Sequence, residues 1–132
     1  MTRLLFLCVC LGFFPALLAQ TPDAWLPLHP SQAGVTFAQQ RMVSNDQEVI
    51  LLRIVNTNDY AVMVHWEDER YYDGQCPTCG SAEAQHSRLL PPQSERTGTS
   101  DEGLRIFVRF LNRKTATLTD FRIAQVAVSI HD

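Results

Sequence analysis

From Gly34 to the C-terminus, short apolar runs alternate with clusters of Asn, Asp, Gly, Ser and Pro. Nowhere do apolar residues hold a 3.6-residue period for three turns, so the pattern predicts strands rather than helices. Glu48 to Val55, EVILLRIV, is almost continuously apolar and reads as a central strand covered on both faces. It ends at Asn56, Thr57, Asn58 and Asp59, which are turn formers because short polar side chains bond their own backbone. In Tyr60 to Glu67, Tyr60, Val62, Val64 and Trp66 share one parity, and Ala61, Met63, His65 and Glu67 share the other. In Leu104 to Leu111, Leu104, Ile106, Val108 and Phe110 fall opposite Arg105, Phe107, Arg109 and Leu111.

Two strands break their own phase. Around Val35 to Val43 the apolar positions move from the parity of Val35 and Phe37 to that of Met42. From Phe121 to Ile130 they move from Phe121 and Ile123 to Val126, Val128 and Ile130, which predicts a β-bulge or a change of sheet near Ala124 and Gln125. A short edge strand is expected over His86 to Leu90. Six strands, or seven if the proline-rich stretch before Gly34 adds an edge, predict a two-layer antiparallel β-sandwich of immunoglobulin-like type, with a small β-barrel as the alternative.

The first residues read differently. Arg3 precedes an apolar run, Leu4 to Leu18, that closes on Ala19 and turns polar at Gln20. This predicts a signal peptide over residues 1–19, since the run falls short of the roughly 20 apolar residues that span a bilayer. Export to the periplasm or the medium is therefore expected, with no membrane span after cleavage. Residues 20–34 carry Pro22, Pro27 and Pro30 and read as an extended arm, leaving a single β-sandwich domain over residues 35–132. With 11 basic against 14 acidic side chains, net −3, the chain lacks the cationic excess that sequence-independent nucleic-acid binding requires.

Loss of residues 1–19 removes Cys8 and Cys10 and leaves Cys76 and Cys79. In an exported chain, Cys76-Pro77-Thr78-Cys79 reads first as a local disulfide. A thioredoxin-type redox pair needs a helix N-terminus at the first sulfur and a βαβ setting, and no βαβ pattern surrounds this pair. A zinc site would use Cys76 and Cys79 with His86 as a third ligand, but no second ligand pair completes the tetrahedron. His29, His65 and His131 are scattered. Glu67, Asp68, Glu69 and Asp73 lack the spacing of a calcium loop and read as a solvated strand end. Arg105, Arg109 and Arg122 read as cross-strand partners of acidic residues rather than a basic stripe.

The remaining chemistry is aromatic. Trp66, Tyr71 and Tyr72 flank the cysteine loop, and strand parity turns one of the two tyrosines outward. A recognition surface is expected from residues 71–80 and the loop from Pro91 to Asp101, with a protein or glycan as partner, because aromatic rims stack on sugars or bury a partner's apolar anchor. No cofactor and no catalytic set is indicated: a nucleophile elbow, a metal-binding helix and a glycine-rich phosphate loop are all missing.

Asn56, Val62-x-Val64-x-Trp66, Tyr71-Tyr72-x-Gly74-x-Cys76-x-x-Cys79, Leu90-Pro91 with Ser94 and Gly98, and Leu104-x-Ile106-Phe107 together resemble small secreted bacterial immunoglobulin-like β-sandwich proteins of unassigned activity. The resemblance spans roughly half of the expected mature chain. It implies the fold and supplies no catalytic residue.

Overall fold

The computed structural model describes residues 24–132. The expected signal peptide and the first residues of the arm lie outside the described residues. Eight strands follow: β1 (Leu26–Gln32), β2 (Val35–Ser44), β3 (Gln47–Asn56), β4 (Val62–Tyr72), β5 (Gln85–Leu90), β6 (Ser94–Thr97), β7 (Arg105–Phe110) and β8 (Leu118–Ile130). One antiparallel sheet runs β1-β2-β3, with β6 and β7 sharing the far edge of β3; the second runs β5-β4-β8. The two sheets pack as a sandwich and do not join into the alternative barrel.

Part of the arm is thus an edge strand, and Ser94–Thr97, expected as loop, adds the eighth strand by pairing with Arg53 to Asn56. The core between the sheets is built by Phe37 of β2, Ile50, Leu52 and Ile54 of β3, and Val62, Val64 and Trp66 of β4. As expected, β3 is covered on both faces: Val49, Ile50, Leu51 and Leu52 are consecutive and all buried. Gly98 runs hard against this strand: its N–H donates to the Leu52 carbonyl at 2.8 Å, and an added Cβ would fall 3.2 Å from Leu51 Cα and 2.5 Å from the Leu104 carbonyl oxygen. Only glycine allows the chain to cross so close.

Asn56 does more than end a strand. It is buried, and its Nδ2 donates to the carbonyls of Tyr60 and Pro91 at 2.9 Å, while Oδ1 accepts from the Asn58 N–H at 3.0 Å. The end of β3, the entry to β4 and the exit of β5 are thereby tied at one point. Tyr60 lies before β4 and is 41% exposed, so it does not share the core face of Val62.

The two phase breaks have different outcomes. In β8 the bulge is where the parity change placed it: His65 pairs with Ala127 but Glu67 pairs with Ala124, one residue too many on β8, and Gln125 takes φ 52°. The defect brings Val126 and Val128 back against the core, and Gln32 Nε2 donates to the Val126 carbonyl at 2.8 Å, linking the sheets at that edge. In β2 there is no defect. Its register with β3 is continuous from Val35↔Asn56 to Ser44↔Gln47, and Met42 is an outward residue beside Val49. The apolar shift reflects the outer face of the sheet, not a bulge.

A bulge that the pattern did not reveal sits in β7. Glu48 pairs with Arg109 and Val49 with Phe107, so Val108 is the extra residue. Past it the phase inverts. Phe110 joins Phe107 on the outer side, the two rings 4.9 Å apart, whereas simple alternation placed Phe110 with Ile106 and Val108.

Candidate functional site

β4 carries two chemical clusters along its second half. Its core parity, Val62, Val64, Trp66, continues to Asp68, which has no exposed surface. The carboxylate meets His86 Nε2 on β5 at 2.5 Å and Arg70 Nε on its own strand at 2.6 Å. Burial pushes the Asp68 pKa up, but the hydrogen bonds from His86 and Arg70 outweigh it and hold the group below the usual carboxylate range. His86 also stacks on Trp66, 5.4 Å between ring centres, and Trp66 meets Phe37 edge-on at 5.6 Å.

The acidic run is therefore not a solvated strand end. Asp68 is interior, Glu67 Oε1 accepts from the Gly80 N–H, and Glu69 Oε2 accepts from the Tyr71 hydroxyl at 2.8 Å. Each carboxylate has its own partner, Asp68 on the inner face of the strand and Glu67 and Glu69 on the other. The zinc set of Cys76, Cys79 and His86 is not brought together, and among the described residues no three His, Cys, Asp or Glu side chains converge as metal ligands. Of the three arginines only Arg109 makes the expected cross-strand pair, its Nε reaching Glu48 at 2.7 Å; Arg122 Nε reaches Asp120 on its own strand at 2.7 Å, and Arg105 binds the Gly98 carbonyl.

After Tyr72 the chain reverses through Asp73 and Gly74, whose φ values of 51° and 80° suit a tight hairpin turn. The Tyr72 N–H donates to the Gln75 carbonyl at 2.7 Å, and the Gln75 N–H donates back at 3.1 Å. Next comes the Cys76–Cys79 disulfide, with Cα atoms 5.5 Å apart. Turn, disulfide and the Glu67–Gly80 contact together hold Pro77 over the end of β7.

Between that loop and β7 lies a cleft of about 310 Å³, walled by Tyr72, Pro77, Phe107, Val108, Phe110 and Ala116. Nearly all of its surface is apolar. The Tyr72 hydroxyl donates to the Val108 carbonyl at 3.4 Å, and the Arg113 guanidinium sits 4.5 Å over the Phe110 ring.

Of the aromatics singled out by the sequence, Tyr72 alone faces this cleft. Tyr71 turns to the other side, under the Arg122 guanidinium at 4.8 Å, and its hydroxyl is held protonated to higher pH, first by its hydrogen bond to Glu69. Trp66 is 2% exposed and belongs to the core. The Pro91–Asp101 segment does not join the cysteine loop. Its strand β6 pairs with residues 53–56 of β3, at the opposite end from the 47–48 stretch that faces Phe110 and Arg109. The cleft's second wall comes instead from the β7–β8 connection, through Thr115 and Ala116. Compared with known proteins, the chain matches no family model, no curated protein and no solved structure.

Proposed function

We propose that this protein is an exported binding module that holds an apolar group in the cleft between the Cys76–Cys79 loop and β7. The observation that carries the reading is the wall itself: Phe107, 43% exposed, and Phe110 form an aromatic pair open to solvent at a site framed by a disulfide. Covering the part of these rings still open to water is worth on the order of 1 kcal/mol each, which makes them anchors for a ligand rather than ornaments of a solvated face. The scarcity of polar atoms in the wall favours an apolar anchor over a glycan, since sugars need hydrogen-bond partners around their stacked face. Secretion or periplasmic residence fits a disulfide whose Cys79 lies exposed.

The rival reading is thiol-disulfide exchange at the same loop. The exposure of Cys79 favours it. Against it stand a following 3-10 turn of only three residues, Ala82–Ala84, and the Glu67 carboxylate bound at Gly80, both of which withhold the positive field that stabilises a thiolate.

Titration with the neutral fluorophore N-phenyl-1-naphthylamine tests the proposal. Wild-type protein is expected to bind it, and Phe107→Ala and Phe110→Ser are each expected to weaken binding about tenfold or more, the effect of losing roughly 1.4 kcal/mol of contact. Binding that ignores both substitutions would remove the cleft from consideration.

A further inference from the structure

The cleft's mouth carries charge that has no acidic partner among the described residues. Arg41, Arg53, Arg70, Arg88, Arg109 and Arg122 each lie within 4.0 Å of a carboxylate. Arg113 and Lys114 are exposed and, among the described residues, have no acidic partner. Arg113 is held over the Phe110 ring at 4.5 Å, and Lys114 precedes Thr115, which itself lines the cleft. Arg113 thus stands on the wall of an apolar opening, with Lys114 next to it in sequence, in a chain whose net charge is −3. Asp73 lies on the wall of an adjoining recess with Gln75 and Cys76, on the disulfide side, so the positive side of the opening is the β7–β8 side.

We infer that the ligand of this cleft is a small anionic amphiphile: an aromatic or short acyl body inserted between Pro77 and Phe110, with one acidic head group at Arg113 and Lys114. The inference rests on the reading of the cleft as a binding site and adds the ligand's charge and its orientation. A cleft of about 310 Å³ is at the small end of ligand pockets, which run from roughly 300 to 1,000 Å³, and so suits one ring system or a short chain. An acidic head is drawn to the mouth by two cations that need not abandon an internal partner to receive it. Arg113 loses little by turning to it, because its guanidinium keeps its place over the ring.

Two fluorophores of one skeleton separate charge from apolar contact: 8-anilinonaphthalene-1-sulfonate, and N-phenyl-1-naphthylamine, which lacks the sulfonate. The intact protein is expected to bind the sulfonate about three- to tenfold more tightly at low salt, with the preference shrinking as added salt screens the exposed cations. The R113Q/K114Q double variant is expected to erase the preference, bringing the two probes' affinities together, and decanoate is expected to displace both probes. Equal affinities, or a preference that survives in the double variant, would overturn the inference while Phe110-dependent binding of the neutral probe kept the cleft as a site. Loss of Phe110 dependence for both probes would overturn the site and the inference together. Sedimentation of the free protein reads the competing occupant: a dimer that dissociates on Phe110→Ser would mean that a second copy covers the cleft, and the inference would fall.

Discussion

Asp68 and Tyr72 are one helical turn's worth of residues apart in sequence, yet on β4 they mark opposite solutions to the same problem. At Asp68 a charge has been taken inside, and both carboxylate oxygens have been given partners, His86 and Arg70. At Tyr72 the inner face runs out, and the apolar surface of Phe107 and Phe110 is left open to water. A buried polar group with every bond made is a device of the fold. An exposed apolar group with no cover, framed by a disulfide loop, is the place to look for a partner.

The comparison breaks most readily at Asp68. Asp68→Leu leaves Arg70 and His86 facing an apolar side chain and is expected to destabilise the fold by about 3 kcal/mol, the low end for a broken buried pair because both partners keep some contact with solvent. Urea unfolding measures it, and the probe affinities of whatever protein remains folded should not move. A loss below about 1 kcal/mol would show that the cluster is a surface pair in effect.

Without mutation, acid probes the same contact. The Asp68 pKa is depressed in the folded state, so its contribution is fully present above the unfolded carboxylate value of about 3.9 and is lost as pH falls through the lower folded value. Stability followed from pH 6 to pH 2 is expected to fall more steeply for the wild type than for Asp68→Leu in the acidic half of that range. Parallel curves would remove Asp68 as the source.

At the other site the expected effects on stability are smaller. Replacing Cys76 and Cys79 by serine removes a loop closure of four residues, worth about 2 kcal/mol or less on chain-entropy grounds, while releasing Pro77 from the cleft wall. Probe binding is therefore expected to suffer more than the melting temperature does. Phe107→Ala is expected to change stability by less than about 1 kcal/mol, since the ring is 43% exposed, and to act almost wholly on binding. A large loss of stability at Phe107 would place the ring among the core residues and blur the contrast with Asp68.

How much of this was legible depended on whether the cause was local. The sandwich followed from alternation and turn chemistry, and the β8 bulge from a change of parity within one strand. The parity of Val62, Val64 and Trp66 already points Asp68 inward, but a carboxylate favours solvent unless it is paired, and parity carries no sign of a partner. What made that burial tolerable, His86, is eighteen residues away and on another strand. Strand β6, with the polar sequence SERT, carries no apolar signal and exists because β3 offers it an edge.

The primary structure by itself determined the class of fold, the central strand, the β8 bulge and the local disulfide, all of which rest on neighbours within a few positions along the chain. Tertiary structure alone decided the cleft. A single extra residue at Val108 turned Phe110 to the side of Phe107, the β4 hairpin carried Pro77 across to them from thirty residues away, and the β7–β8 connection closed the remaining wall with Ala116. Bulge position is set by how two strands settle against each other, and the identity of a wall by which loops the sheets bring together; neither quantity is written in the period of any one segment.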